Sequence, residues 1–411
     1  MWRIVFKMLV ARKGRYGWLL AELVVVSMAV WALADPVVVQ TFIEFQDKGF
    51  DEDRLYRIEL KTYSERSPHF VRQEMEHRRD DLHRLLRLVR SYPGVASATF
   101  QGDNGPFCNS VTLYRVYSDT LTAYVYGIDF VPRSDFFKTF RFSENGRLSH
   151  DDLDSMTFDD GSSVLSAETF PGRSTIGFAD TISGTRVAAT VGLVRVHPSV
   201  PPACVKFVPN TDMNVQAIVL RISENIDEHE FLQAFSDWAK KQLRAGNFYI
   251  SGVQSYADFM DGNSVEVNTD VQMRTVLGLF FLFCLFLGVS GTFWMQTNSR
   301  REEIGIIKSF GASSACIVCT LIAEGVILAA VAVAIGCFLY LQYALKEGLY
   351  IPNSGEIDLQ LGRYWFEHFS SHFAATSVAA FVIVTAVVCI GIYIPAHRIS
   401  VVMPADALHD E

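Results

Sequence analysis

Charge is scarce in this chain. Only 20% of the 411 residues are charged and 50% are hydrophobic, whereas soluble domains average about 25% charged. Basic residues are the rarer sign, 36 Lys and Arg against 45 Asp and Glu, which leaves a net charge of −9. Nucleic acid, whose phosphates want a basic face, is therefore excluded as a partner. Cysteine is thinly spread: five of the seven, Cys284, Cys316, Cys319, Cys337 and Cys389, lie in apolar runs, so there is no disulfide framework. Cys316-x-x-Cys319 has metal-like spacing, but no second ligand pair accompanies it, and ordinary buried helix residues are expected. Cys108 and Cys204 lie in the polar stretch, where a bridge between them stays open if that compartment is oxidising. The chain lacks G-x-x-x-x-G-K-[ST], G-x-S-x-G and H-E-x-x-H. It therefore has no phosphate loop of that kind, no nucleophile elbow and no zinc-protease helix. No catalytic, cofactor-binding or metal residues are expected on it.

What is abundant is apolar sequence, gathered in four runs. A helix needs about 20 apolar residues to cross a bilayer. Residues 17–34 qualify with Glu22 as their one charge, 274–296 carry none after Arg274, 315–344 carry only Glu324, and 374–394 carry none. The first run also resembles a signal peptide ending in Ala32-Leu33-Ala34. Glu22 inside its apolar core speaks for a retained span. The lead, residues 1–16, holds Arg3, Lys7, Arg12, Lys13 and Arg15, with Trp2, Val5, Phe6 and Leu9 on one helical face. The 297–314 connection carries Arg300, Arg301 and Lys308, whereas 345–373 carries Lys346 and Arg363 against four acids. The positive-inside rule then places both termini (1–16 and 395–411) and 297–314 in the cytoplasm, with 35–273 and 345–373 outside. Glu22 and Glu324 are membrane-embedded acidic candidates. Both lie toward the cytoplasmic ends of their spans, where an interfacial, structural role is expected.

Residues 35–273 read as an α+β domain. Strands are expected near 55–60, 95–101, 111–117, 123–129, 187–196 and 217–222. One helix should start at Ser67-Pro68 and bury Val71, Met75, Leu82, Leu85, Leu86 and Val89. A second has Asp227 as N-cap with Glu230 three residues on, and Phe231, Phe235, Trp238 and Leu243 as its apolar face. These imply two β-α-β units with residues 102–200 partly inserted between them. From Tyr256 an amphipathic helix should run into the second span as a stalk, interrupted near Gly262-Asn263. His150, Asp151, Asp152, Asp154, Asp159 and Asp160 form an acidic patch without a calcium-loop pattern, and His77 and His83 are badly spaced for a shared metal.

The 297–314 connection is short and mixed in charge. Ile304, Ile307 and Phe310/Gly311 fall at helical spacing, forming an apolar ridge that suits a partner's groove. Here a resemblance appears. Residues 301–313, Arg-Glu-Glu-Ile-Gly-Ile-Ile-Lys-Ser-Phe-Gly-Ala-Ser, resemble the R-x-E-I-G-I-x-K-x-x-G-A-S motif of MacB/FtsX-like ABC transporter permeases. The tail from Pro395-Ala396 to Pro404 and Ala407-Leu408 is similar to that family's ending, and 130–140 and 189–194 echo its outer-domain segments. Ile399 stands where the family has a small residue, and the tail ends on Asp410-Glu411 instead of a basic cluster.

The resemblance implies a type VII ABC permease without a fused ATPase: four transmembrane helices and a MacB-like periplasmic α+β core between the first two, in a bacterial inner membrane. It implies a separate ABC ATPase dimer, which would carry the ATP and Mg, and a second permease copy or homologue. A periplasmic adaptor and an outer-membrane channel would complete an efflux system. Its coupling element maps onto Arg300, Arg301, Glu302, Glu303, Ile304, Gly305, Ile307, Lys308 and Gly311. Efflux or lipoprotein release follows; the alternative is an FtsX-like regulator that activates a periplasmic partner without transport. Gly278, Gly288 and Gly291 permit close approach in a dimer seam.

Overall fold

The computed structural model describes residues 13–108, 110–118, 121–143, 149–156, 162–170, 176, 180–352 and 362–401, the side chains of 13–16 excepted. The amphipathic face of Trp2, Val5, Phe6 and Leu9, the acids Asp159 and Asp160, and the tail beyond Val401 lie outside them. The elements begin with α1 (Lys13–Glu44), β1 (Leu55–Thr62), α2 (Met75–Arg90), β2 (Val95–Gln101), β3 (Leu113–Ser118), β4 (Leu121–Phe130), α3 (Phe136–Phe140) and α4 (His150–Ser155). They continue with β5 (Ser162–Ser166), β6 (Thr181–Ile182), β7 (Thr185–Val191), β8 (Val205–Pro209), β9 (Ala217–Ile222), α5 (Glu228–Gln242), β10 (Arg244–Ala245) and β11 (Phe248–Ser255). Then come α6 (Tyr256–Asn263), α7 (Val265–Asn298), α8 (Arg301–Ser309), α9 (Ser314–Glu347) and α10 (Phe369–Val401). The chain divides into a helical unit (Met1–Thr41, Thr269–Ile351, Tyr364–Glu411) and an α+β unit (Phe42–Asn268, Pro352–Arg363).

The α+β unit contains two sheets. The first has the order β10-β11-β1-β9-β2. β1 runs antiparallel to both β9 and β11, and β2 antiparallel to β9. Strands β1 and β2 are thus parallel with β9 between them, and β9 and β11 parallel with β1 between them. These are two interlocked split β-α-β units, built on α2 and α5. The second sheet, β3-β4-β8-β5-β7-β6, is the insertion between the two halves. Its outermost strands meet where Ser183 N donates to Tyr117 O at 2.8 Å and Tyr117 N to Ser183 Oγ at 2.9 Å.

The sequence misplaces one helix start. α2 begins at Met75, eight residues after Ser67, and Val71 and Met75 are exposed instead of facing the core. The reason is a competing partner: Val71 N donates to Asn247 Oδ1 at 2.8 Å and Asn247 Nδ2 to Val71 O at 2.6 Å, which holds the segment extended. α5 starts where expected, with Asp227 accepting from Glu230 N at 2.9 Å. Phe136, Phe137 and Phe140 of α3 are fully buried and stack with Phe142 and Phe207 in the core. Arg221 is also buried, and gives hydrogen bonds to Asp51, Asp53 O and Thr139 O, tying the lead into β1 to α3. Tyr256 anchors α6: its hydroxyl donates to Pro106 O at 2.6 Å and accepts from Gln101 Nε2 at 2.7 Å. The expected interruption near Gly262-Asn263 falls at Ser264, where helical bonding continues through Ser264 N to Met260 O and Asn268 N to Ser264 O.

In the helical unit, α1, α7, α9 and α10 are long and apolar enough to cross a membrane. Half of α9's most apolar window is buried against 17% for α7, so α9 is central and α7 peripheral. Close approach explains α9's glycines: a Cβ at Gly325 would strike Ile392 of α10, and one at Gly336 would strike Ser27 of α1. Pro395 lies inside α10 and has no N–H to offer the Gly391 carbonyl. Ser290 of α7 supplies the replacement, its hydroxyl donating to Gly391 O at 2.9 Å. Two expectations change here. Gly288 is covered within the chain by the Glu22 carboxylate, which takes it out of a dimer seam, while Gly291 is open. Cys316 and Cys319 are exposed, because Ile317 and Leu321 take the inward positions of that turn.

Candidate functional site

The connection after α7 folds as the nine-residue helix α8. Glu302 and Glu303 occupy its first turn and Lys308 its last, the arrangement that the helix dipole favours. Gly311 ends it with φ +91°, a left-handed conformation open to glycine, and its N–H donates to Lys308 O at 2.9 Å. Two residues on, the Ser313 hydroxyl caps α9 by accepting from Cys316 N at 3.3 Å. The Gly-Ala-Ser end of the motif is thus a turn between two helices.

The apolar ridge divides into two faces. Ile304 is 6% exposed within the helical core, and Gly305 is buried beside it. Ile306, Ile307 and Phe310 point outward, Phe310 at 86% exposure. Ile304 and Gly305, expected on the partner-facing side, instead fasten α8 to the bundle, because they fall on the face turned to α9. Ile306, a motif position, and Phe310, on the expected ridge, were not among the assigned coupling residues, and they complete the outward face with Ile307.

Beneath α8 lies a second fastening. Arg300 Nη1 reaches Glu324 of α9 at 3.0 Å (Oε2) and 3.2 Å (Oε1), and the glutamate is 2% exposed. A small groove of about 80 Å³, lined in part by Arg300, Glu303, Ile307, Thr320 and Glu324, separates the two helices. Sequence reading treated the membrane-embedded Glu324 and the connection's Arg300 as separate features; the fold joins them. A carboxylate buried in an apolar helix is costly unless paired, and Arg300 is the partner. Glu22 lies half-buried over Gly288 of α7.

At the other end of the bundle is a cluster that the sequence did not point to. Asp35 lies within α1, nine residues before its end, and is 3% exposed; His372 of α10 is fully buried. Asp35 Oδ1 meets His372 Nε2 at 2.5 Å, and Asp35 Oδ2 accepts from Tyr350 N at 3.0 Å. His372 Nδ1 meets Phe366 O at 2.9 Å, and Gln40 Nε2 donates to the Tyr350 hydroxyl at 2.9 Å. Asp35 had been read as the first residue beyond the span. α1 continues past it because a satisfied aspartate does not end a helix.

The polar candidates of the α+β unit have structural partners. Asp152 forms a capping box with Ser149, and Lys138 pairs with Asp151 at 2.8 Å. Asp154 accepts from Phe137 N at 3.1 Å and Lys138 N at 2.8 Å, which caps α3. Burial pushes the Asp154 carboxyl up to about 6, against these N–H donors, which favour its charge. His150 Nε2 lies 2.7 Å from Phe142 O. His77 is exposed, while burial lowers the His83 pKa. Among the described residues no group of three or more His, Cys, Asp or Glu could hold a metal ion. Cys108 and Cys204 are unbridged: one thiol lies by Gly102 O, the other by Glu168 O and Arg363, and burial pushes each to about 11.

The geometry therefore defines a four-span membrane protein with an α+β unit between its first two spans and an amphipathic helix between its second and third. Residues 275–400 match the family model described as FtsX-like permease C-terminal. That segment is similar to the C-terminal part of FtsX-like permeases, a family of membrane components. No curated protein matches the sequence. Two solved structures are similar to part of it. The extracellular domain of the noncanonic ABC-type transporter YknZ from Gram-positive bacteria is 11% identical, with a TM-score of 0.29, over 48% of this chain and 100% of that one. The periplasmic region of MacB from Actinobacillus actinomycetemcomitans is 14% identical, with a TM-score of 0.29, over 55% of this chain and 98% of that one.

Proposed function

We propose that the chain is the permease subunit of a type VII ABC system. It takes up the movement of a separate ATPase dimer on α8 and passes it across the inner membrane to a periplasmic α+β domain, for efflux or lipoprotein release. ATP and Mg belong to the partner, and a second permease copy or homologue completes the pair. The supporting observation is the division of α8: Ile306, Ile307 and Phe310 face outward between charged ends, while Ile304 and the Arg300–Glu324 pair root the helix in the bundle. A connector with no partner has no need of an outward apolar face on so firmly rooted a helix. The basic residues flanking the spans support a cytoplasmic position for this helix and an outer one for the large domain.

Co-purification from the native membrane tests the reading. An ABC ATPase should be retained by the wild-type chain and lost from Phe310→Asp and Ile306→Asp variants that unfold at the wild-type temperature. Retention of the ATPase by both variants would place the contact elsewhere. An ATPase-bound chain whose deletion leaves export unchanged would favour control of a periplasmic partner over transport.

A further inference from the structure

A second cavity at the α8 end of the bundle lies apart from the outward face of that helix. It has a volume of about 240 Å³ and is lined by Trp294, Thr297, Asn298, Arg301, Pro395, Arg398 and Ile399. These come from the end of α7, the start of α8 and the end of α10. A water molecule's share of liquid volume is about 30 Å³, so the space admits a phosphate group with the glycerol beside it. Two guanidiniums line the cavity, and no carboxylate does so among the described residues. Guanidiniums match phosphate oxygens two at a time, in a fixed fork. Arg398 is also held in place, its Cζ 4.6 Å above the Trp294 ring.

We infer that this cavity binds the phosphate headgroup of an anionic membrane lipid. The location selects lipid over a soluble anion. Three walls come from or adjoin helices that span the membrane, and Trp294, 43% exposed, has the amphipathic ring that settles at headgroup depth. Pro395 and Ile399 supply an apolar wall for the first carbons of an acyl glycerol. Basic pockets between spanning helices are the usual seat of acidic headgroups. A bound lipid would join α7 to α10 next to the root of α8 and make the helix's footing depend on membrane composition.

The test uses the full chain in nanodiscs, with no ATPase present, so its failure is separate from failure of the coupling assignment. Phosphatidylglycerol is the probe, phosphatidylethanolamine the zwitterionic comparison, and native mass spectrometry counts the lipid retained. The wild-type chain should keep phosphatidylglycerol in preference, and Arg398→Gln and Arg301→Gln should each weaken retention by about fivefold, the effect of about 1 kcal/mol per cation. Arg398→Lys should keep most of the charge effect. Lys346→Gln, at a solvent-exposed cation remote from the cavity, should change nothing. A brominated phosphatidylglycerol should quench wild-type fluorescence more than that of Trp294→Phe. Retention by Arg398→Gln equal to wild type overturns the proposal. So does displacement of the lipid by millimolar inorganic phosphate, which would make the ligand a soluble anion.

Discussion

The two ends of the helical bundle each bury a carboxylate, and they satisfy it differently. At the α8 end Glu324 is met by the guanidinium of Arg300, a permanent cation. At the opposite end Asp35 is met by His372 Nε2 and the Tyr350 N–H, from an imidazole and a backbone amide instead of a guanidinium. The first end carries the helix to which we assign the partner contact. The second end joins α1 to α10 through a hydrogen-bonded network with no fixed cation among the partners named here. The difference teaches that a buried acid is understood only with its partner: one roots α8, the other is a clasp between two spans.

The largest expected effect breaks the first end. Arg300→Leu leaves Glu324 buried without its guanidinium and should cost about 3–5 kcal/mol, read by unfolding of the purified protein in detergent. The double variant Arg300→Leu, Glu324→Leu should recover a large part of that loss. Equal losses in the single and double variants would mean that the pair is not coupled.

The next variants separate rooting from display on α8. Ile304→Ala removes a buried side chain and should cost about 2–5 kcal/mol. Phe310→Ala touches an exposed one and should stay within about 0.5 kcal/mol while weakening ATPase retention. Equal stability losses would show that both faces of α8 serve packing.

The opposite end should give less. Asp35→Ala removes the acceptor of His372 Nε2 and the Tyr350 N–H and should cost about 1–3 kcal/mol. A loss as large as that of Arg300→Leu would erase the contrast between the ends.

What the sequence showed follows the same division. The four spans were legible because lipid demands long uncharged runs, and Glu324 stood out as an exception within one. α5 was legible from its capping box. Asp35 was not, because it stands just before Pro36 at the end of an apolar run and looks like a span's polar exit. Only His372, 337 residues away in sequence, explains it. Strands β5, β8 and β11 were missed for local reasons. β5 has serine at three of its five positions, β8 ends on Pro209, and β11 carries Gly252 beside an irregular register at Glu59/Leu60. The Ser67-Pro68 helix start failed because a cap signal cannot report a rival such as Asn247. At α8 the motif gave the segment and its charges, but the face turned to the bundle is set by α9, which spacing alone does not show.

The smallest effect extends the comparison to a third acid. Asp154 in the α+β unit has no cation within its hydrogen-bonding set, and two backbone N–H groups receive it. Burial wins over these donors and raises its carboxyl from the ordinary 3.8 to about 6. A raised folded-state value means that the folded chain holds its proton more tightly than the unfolded chain. The stabilisation from that proton is fully present below pH 3.8 and is lost as the pH rises through about 6. Relative to Asp154→Asn, which does not titrate, the wild-type protein should therefore gain stability as the pH falls from 7 toward 4, in unfolding curves measured in parallel. Parallel curves, or a relative loss on acidification, would mean that the N–H donors outweigh burial. Asp154 would then be an acid held for the charge that the α3 N–H groups favour.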